Sequence, residues 1–130
     1  HKNFRVGRMK KITKRPWGSY EVLSDLPGHK VKRFIVHPDG CLSLQLHRKR
    51  SEHWFVVAGN GTAIVDGKKK LLRPGHSMDI PIKSKHRVWN SSEEDLIIIE
   101  VQSGEYCGED DIERFDDKYG RIKPDKHHRK

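Results

Sequence analysis

Apolar and polar residues alternate in short runs over most of this chain, at Ser19–Leu23, Val31–Val36, Leu42–His47, His53–Val57, Thr62–Val65, Lys70–Arg73, Ser77–Ile80, His86–Trp89 and Leu96–Gln102. A period of two is the mark of a strand with one covered face. Turn signals separate the runs: Leu26-Pro27-Gly28, Pro38-Asp39-Gly40, Ala58-Gly59-Asn60-Gly61, Asp66-Gly67 and Arg73-Pro74-Gly75. Each offers a positive-φ residue or a preset proline φ, and Asp66-Gly67 has the form of a two-residue hairpin turn. This cadence predicts an all-β sandwich or barrel. Helical spacing is weak before Gly108, which argues against a parallel-sheet α/β fold. After it, residues 109–115 predict a short C-terminal helical segment, with acidic residues at its positive end and Ile112 and Phe115 on one face.

Composition adds limits. The chain has 130 residues, of which 33% are hydrophobic and 35% charged. That is the size of one domain, whose core must come from the short apolar runs. No run approaches the roughly 18 apolar residues that cross a bilayer, and the start lacks the apolar stretch of a signal peptide. The expectation is a soluble cytoplasmic protein with no membrane partner. Cys41 and Cys107 lack metal-site spacing and are expected as thiols. The formal charge of +9 invites a nucleic-acid reading. Much of it falls in the end segments, and the middle has no basic strand interleaved with aromatics, so no nucleic-acid partner is expected. Residues 1–14 read as a basic N-terminal arm and 122–130 as a disordered basic tail around one domain at 15–121. A positive field also draws in small phosphorylated anions.

One pair of neighbouring runs carries the chemistry. Alternation puts Leu42, Leu44 and Leu46 on one face and Ser43, Gln45 and His47 on the other. The charged link Arg48-Lys49-Arg50-Ser51 then leads to Glu52, which opens the run Trp54-Phe55-Val56-Val57. A hairpin here returns Glu52 toward Gln45 and His47. An amide oxygen, an imidazole and a carboxylate at one point suit a divalent ion of zinc, manganese or iron type. His86, at the start of a later strand, can supply a fourth donor.

These segments resemble the two cupin motifs. Gln45-x-His47, then Glu52 and Gly59, is similar to motif one, with Gln45 in place of the usual histidine. Pro81-x-Lys83-x-x-His86-x-x-x-Asn90 is similar to motif two. Further matches are Arg15-Pro16-Trp17-Gly18-Ser19-Tyr20, Arg50-Ser51-Glu52-His53-Trp54, Gln102-Ser103-Gly104-Glu105-Tyr106, Gly108-Glu109-Asp110-Asp111-Ile112 and Tyr119-Gly120-Arg121. Together they resemble the type II mannose-6-phosphate isomerase domain, the cupin module usually found behind a mannose-1-phosphate guanylyltransferase domain. The resemblance runs from about Arg15 to Arg121. Two departures stand out. Arg48 and Lys49 replace a histidine pair, and Lys83 replaces a glycine, which argues against a positive φ there or implies strain.

The resemblance implies a cupin jelly-roll β-barrel with one divalent ion, zinc by preference, on Gln45, His47, Glu52 and His86. It implies interconversion of mannose 6-phosphate and fructose 6-phosphate through an enediol, the ion stabilising developing negative charge. Only about 14 residues precede Arg15, without a Gly-rich phosphate loop, so no guanylyltransferase activity is expected. Arg50 is the first candidate to hold and orient the phosphorylated substrate, and Arg114 and Arg121 match family arginines that could clamp its phosphate. A surface ion pair to Asp110, Asp111 or Asp116 is the other reading of those two. Of Lys32 and Arg33, alternation sends one inward. Lys32 is taken as that one, a buried lysine being able to act as a base, although a snorkelling surface lysine fits the pattern too. His53 alternates away from Glu52, and Trp17, Trp54 and Trp89 read as packing. Edge strands leave room for a homodimer. The alternative function is a metal-containing cupin that binds sugar phosphates or sugar nucleotides without isomerising them, a reading that Lys49 and Lys83 keep open.

Overall fold

Alternation is realised along the central strands. In the computed structural model, which describes residues 11–120, the chain forms eleven strands. They are β1 (Ile12–Arg15), β2 (Gly18–Leu26), β3 (His29–Val36), β4 (Leu44–Leu46), β5 (Arg50–Ala58), β6 (Gly61–Val65), β7 (Lys68–Leu72), β8 (Ser77–Ile80), β9 (His86–Trp89), β10 (Leu96–Gly104) and β11 (Glu113–Asp116). Every run read from the alternation contains a strand, and β1 and β11 are additional. β1 pairs with β2 from Ile12 onward, so the first sheet begins ahead of Arg15. No described helix is long and apolar enough to cross a membrane.

All pairings are antiparallel, in a six-stranded sheet ordered β1-β2-β3-β10-β5-β8 and a five-stranded sheet ordered β11-β4-β9-β6-β7. The two sheets make the jelly-roll sandwich of a cupin. The β6–β7 hairpin turns on Asp66 (φ 50°) and Gly67 (φ 80°), two positive-φ residues as a tight hairpin with matching twist demands. Gly59 has φ 84°, and a Cβ there would lie 2.2 Å from the carbonyl oxygen of Asp95, so the motif-one glycine is fixed by backbone contact.

The register sorts the inner face of the larger sheet into rows. Phe34, Ile98 and Val56 lie side by side across β3, β10 and β5. The next rows along are Lys32, Glu100 and Trp54, then Lys30, Gln102 and Glu52. The apolar end is closed by edge-on aromatic contacts, Trp17 to Phe34 at 5.9 Å and Phe34 to Trp54 at 5.3 Å between ring centroids. A cavity opens at the polar end.

The short C-terminal helix does not form. Residues 109–112 make a turn and a crossing over the cavity, and 113–116 pair with β4. Tertiary partners take the acidic groups that would have begun a helix. The Asp111 carboxylate accepts the backbone N–H groups of Arg48 (3.0 Å) and Lys49 (2.9 Å), while Glu109 and Glu113 pair with Lys32 and Arg48. A weak local preference loses to several charge-assisted bonds. Ile112 lines the cavity and Phe115 is exposed, so they do not dock as one face.

Candidate metal centre

Three buried side chains converge at the polar end. One ligand atom each from His47, Glu52 and His86 lies within 4.8 Å of the others. His47 Nε2 is 3.2 Å from a Glu52 oxygen, and His86 Nε2 is 3.8 Å from the other. The far nitrogens are held by carbonyls. His47 Nδ1 donates to Asp111 O at 2.7 Å, and His86 Nδ1 donates to Ser84 O at 2.9 Å. These bonds select the tautomer whose Nε2 lone pair faces the cluster, the arrangement by which metal-binding histidines are oriented. Burial lowers both imidazole pKa values. Arg50 and then His86 add to the effect on His47, which is lowered to about 4. Both rings are therefore neutral near pH 7, as ligands must be. Lys83 N–H donates to His47 O at 2.8 Å and ties the turn before β9 to the first ligand. Lys83 itself has φ 67°, so the sequence departure at this position is carried as backbone strain.

Gln45 stands opposite His86 in the β4–β9 pairing. Its amide nitrogen donates to Ser43 Oγ at 2.9 Å, so the carbonyl oxygen is the atom with which it could hold a metal ion. The donor set fits a divalent ion: two imidazoles, a carboxylate and an amide oxygen, with three of the four positions brought together directly.

Around the cluster the charges interlock. Arg50 donates through Nε and Nη2 to one Glu52 oxygen, both at 2.9 Å, and through Nη1 to Gly108 O at 3.2 Å. Its Nη2 is also 3.3 Å from His47 Nε2. Burial works against the guanidinium charge, but the Glu52, Glu100 and Glu109 carboxylates outweigh it and raise the pKa further. Trp54 Nε1 donates to Glu52 (3.0 Å) and to Glu100 (2.9 Å), so this ring orients two carboxylates besides packing. Glu100 is pushed up to about 7 by burial and then by the neighbouring Glu52. Gln102 Nε2 donates to it at 2.7 Å.

Comparison with known proteins decides the family. The family model described as mannose-6-phosphate isomerase C-terminal matches residues 3–117. The chain belongs to this family. Alginate biosynthesis protein AlgA of Pseudomonas syringae pv. tomato is 54% identical over 108 residues, covering 82% of this chain and 22% of that protein. A mannose-1-phosphate guanylyltransferase of Klebsiella pneumoniae is 45% identical over 107 residues, covering 82% and 23%. The chain thus spans less than a quarter of the length of these relatives. Among solved structures, the capsular polysaccharide assembling protein CapF from Staphylococcus aureus superposes with a TM-score of 0.73 at 17% identity, over 83% of this chain and 34% of that one. An RmlC-like cupin from Shewanella frigidimarina gives 0.70 at 21% identity, over 85% and 96%. Those two likenesses establish the cupin fold.

Seen as a member of the isomerase family, the chain brings most of the expected residues to one cavity. Gln45, His47, Glu52, His86, Lys32, Arg50 and Arg114 all line it. Arg114 stands across from Gln45 in the β11–β4 pairing. Arg121 lies outside the described residues. Arg50 is buried in the cavity wall and bonded to Glu52. Lys32 points inward, and its Nζ donates to Glu109 at 2.8 Å. His53 is turned away and pairs with Asp79 at 2.6 Å. Arg48 and Lys49 are exposed and touch the site only through their backbones. Sequence reasoning passed over Lys30, Glu100 and Glu109. Lys30 lies two residues before Lys32 on the same face, and Glu100 two after Ile98, so alternation carried signals for both. Glu109 lies outside any strand, where alternation says nothing, and its signal was the matched segment Gly108-Glu109-Asp110-Asp111-Ile112.

Proposed function

We propose that this site interconverts mannose 6-phosphate and fructose 6-phosphate as a metal-dependent aldose–ketose isomerase. One divalent ion, zinc by preference, would be held by Gln45, His47, Glu52 and His86. The supporting observation is the convergence of two neutral imidazoles and a carboxylate within 4.8 Å, at one end of a cavity whose walls also carry cations. When bound, the ion supplies an electrophile for the negative charge that develops on the sugar oxygens. The chain's own groups do the rest. Arg50 and Trp54 hold Glu52 in place, and Asp111 O and Ser84 O fix the two rings. Arg114 faces the cavity and contributes positive charge for a phosphorylated ligand; Arg121 is proposed in the same role. No guanylyltransferase chemistry is assigned to these residues. A cytoplasmic location suits the free thiols Cys41 and Cys107, and a homodimer would cover the exposed Phe55, Val57 and Val101 on the outer face of β5 and β10.

The test is a coupled assay of mannose 6-phosphate to fructose 6-phosphate with metal-stripped protein reconstituted with zinc, manganese, cobalt or iron. Turnover should return with one of these ions and be lost in His47→Ala. Tight binding of an ion and of the sugar phosphate without turnover would overturn isomerisation and leave a sugar-phosphate-binding cupin.

A further inference from the structure

β3 presents two lysines to the interior, Lys30 and Lys32, each with a side chain 8% exposed. Two buried ammonium groups side by side are costly unless an anion meets them. One carboxylate bonds to both. Glu109 lies 2.7 Å from Lys32 Nζ and 3.4 Å from Lys30 Nζ. The Lys32 ammonium also stands 4.0 Å over the Tyr20 ring, and Arg50 anchors the same crossing through Gly108 O. The two sides of this contact differ in kind. The cations belong to a central strand of the larger sheet, paired on both sides. The carboxylate belongs to the crossing between β10 and β11, and its own side chain is 42% exposed.

Displacing Glu109 would leave two charges of +1 together, which a phosphate monoester dianion would neutralise. Spacing agrees. Lys30, Gln102 and Glu52 form one row across β3, β10 and β5, so the lysine and the metal-cluster carboxylate are two strand spacings apart, about 10 Å between backbones. A ligand with reacting carbons at one end and a phosphate at the other spans such a gap. With the crossing in place the cavity is only about 100 Å³. Pockets for small ligands usually run to about 300–1,000 Å³. A sugar phosphate needs more room than this, and the Glu109 side chain over Lys32 is the part of the crossing whose departure would open the wall at the two lysines.

We propose that Lys30 and Lys32 form the subsite for the phosphate group of the substrate, and that the Glu109 carboxylate occupies this subsite in the free protein and is displaced when the phosphate binds. The choice of a sugar phosphate rests on the isomerase reading above; the anion subsite itself does not. Oxyanion and carboxylate then compete for the same two ammonium groups, so removing the carboxylate charge should help the ligand.

Calorimetric titration of the full chain with inorganic phosphate, mannose 6-phosphate and mannose tests this without metal or turnover. Lys32→Met should weaken inorganic phosphate and mannose 6-phosphate about tenfold or more, the worth of one charge-assisted bond. Glu109→Gln should tighten both several-fold, and Asp110→Asn, the same charge change one residue along, should leave both unchanged. Mannose affinity should not respond to any of the three. Because a lysine variant can fail by misfolding, Glu109→Gln decides. Phosphate affinity in Glu109→Gln equal to that in Asp110→Asn overturns the proposal, as does tightening that is equally large for unphosphorylated mannose. Inorganic phosphate that binds as predicted while mannose 6-phosphate does not would show a subsite for the free ion and also overturn it. Lost isomerase turnover with these linkages intact would sink the isomerase reading alone; intact turnover with flat linkages would sink the subsite alone.

Discussion

The inner face of the larger sheet has two ends that share strands, register and alternation but differ in what their side chains require. At one end Phe34, Val36, Val56, Leu96 and Ile98 are each 3% exposed or less and satisfy one another by non-directional burial. At the other end Lys30, Lys32, Arg50, Glu52 and Glu100 are equally inward and nearly as buried. Charges cannot be satisfied by proximity alone, so each is matched to a particular atom. The cations are three and the strand carboxylates two, and the balance is completed only by Glu109 from the crossing. One end is a core that is complete in itself, while the other is complete only with a borrowed carboxylate or a ligand. A site can thus be built by changing residue type at fixed register, without changing the fold.

The sharpest way to break this comparison is to damage the apolar end and read the polar one. Ile98 is fully buried in the row between Phe34 and Val56. Ile98→Ala should cost about 2–5 kcal/mol in urea unfolding of the metal-free protein, by lost burial and the cavity left behind. Metal affinity, measured by titration of the folded variant, should not change. If it falls with stability, the two ends are one cooperative structure and the division is wrong.

The same contrast explains what could be read from the sequence. Alternation is a backbone property, so the strands and the shared face of Gln45 and His47 were legible from spacing, while the choice of Lys32 over Arg33 as the inward residue was not. Partner choice is not. Nothing local says that Asp111 will cap the β4–β5 link, that Arg50 will spend its donors on Glu52, or that Glu109 will cross the cavity to two lysines. The expected helix at 109–115 was lost for that reason: its acidic residues looked like a helix start and were instead tertiary partners. β1 was missed because the run Ile12-Thr13-Lys14-Arg15 has little to bury and is ordered by its ladder with β2.

A smaller effect concerns where strain is tolerated. Lys83 holds φ 67° so that its N–H can reach His47 O, a left-handed conformation that disfavours a side chain. Lys83→Gly should relieve this and stabilise the protein by about 1 kcal/mol, after the extra chain entropy of glycine is counted. The measurement is the shift in urea midpoint. Destabilisation would mean that the lysine side chain contributes more than its backbone costs, and that the polar end is not strained there.

The smallest effect is a difference in pH response between the wild-type protein and Glu109→Gln. Burial alone would push the Glu109 pKa up, but the charge and hydrogen bond of Lys32, then Lys30 and Arg50, outweigh it and hold the carboxyl below its ordinary value. A carboxyl depressed in this way stabilises the folded state above its unfolded pKa of about 4.3, and that contribution is lost as pH falls through the lower folded value. Solvent reaches the carboxylate, so the contribution is modest. In phosphate-free buffer at pH 7 the metal-free wild type should melt slightly above the variant, and the two should converge as the solution is acidified past the folded pKa. His47 and His86 titrate in both proteins and cancel from the difference. A gap that persists unchanged at low pH would assign the contact to packing rather than charge, and the borrowed carboxylate would then not be what completes the polar end.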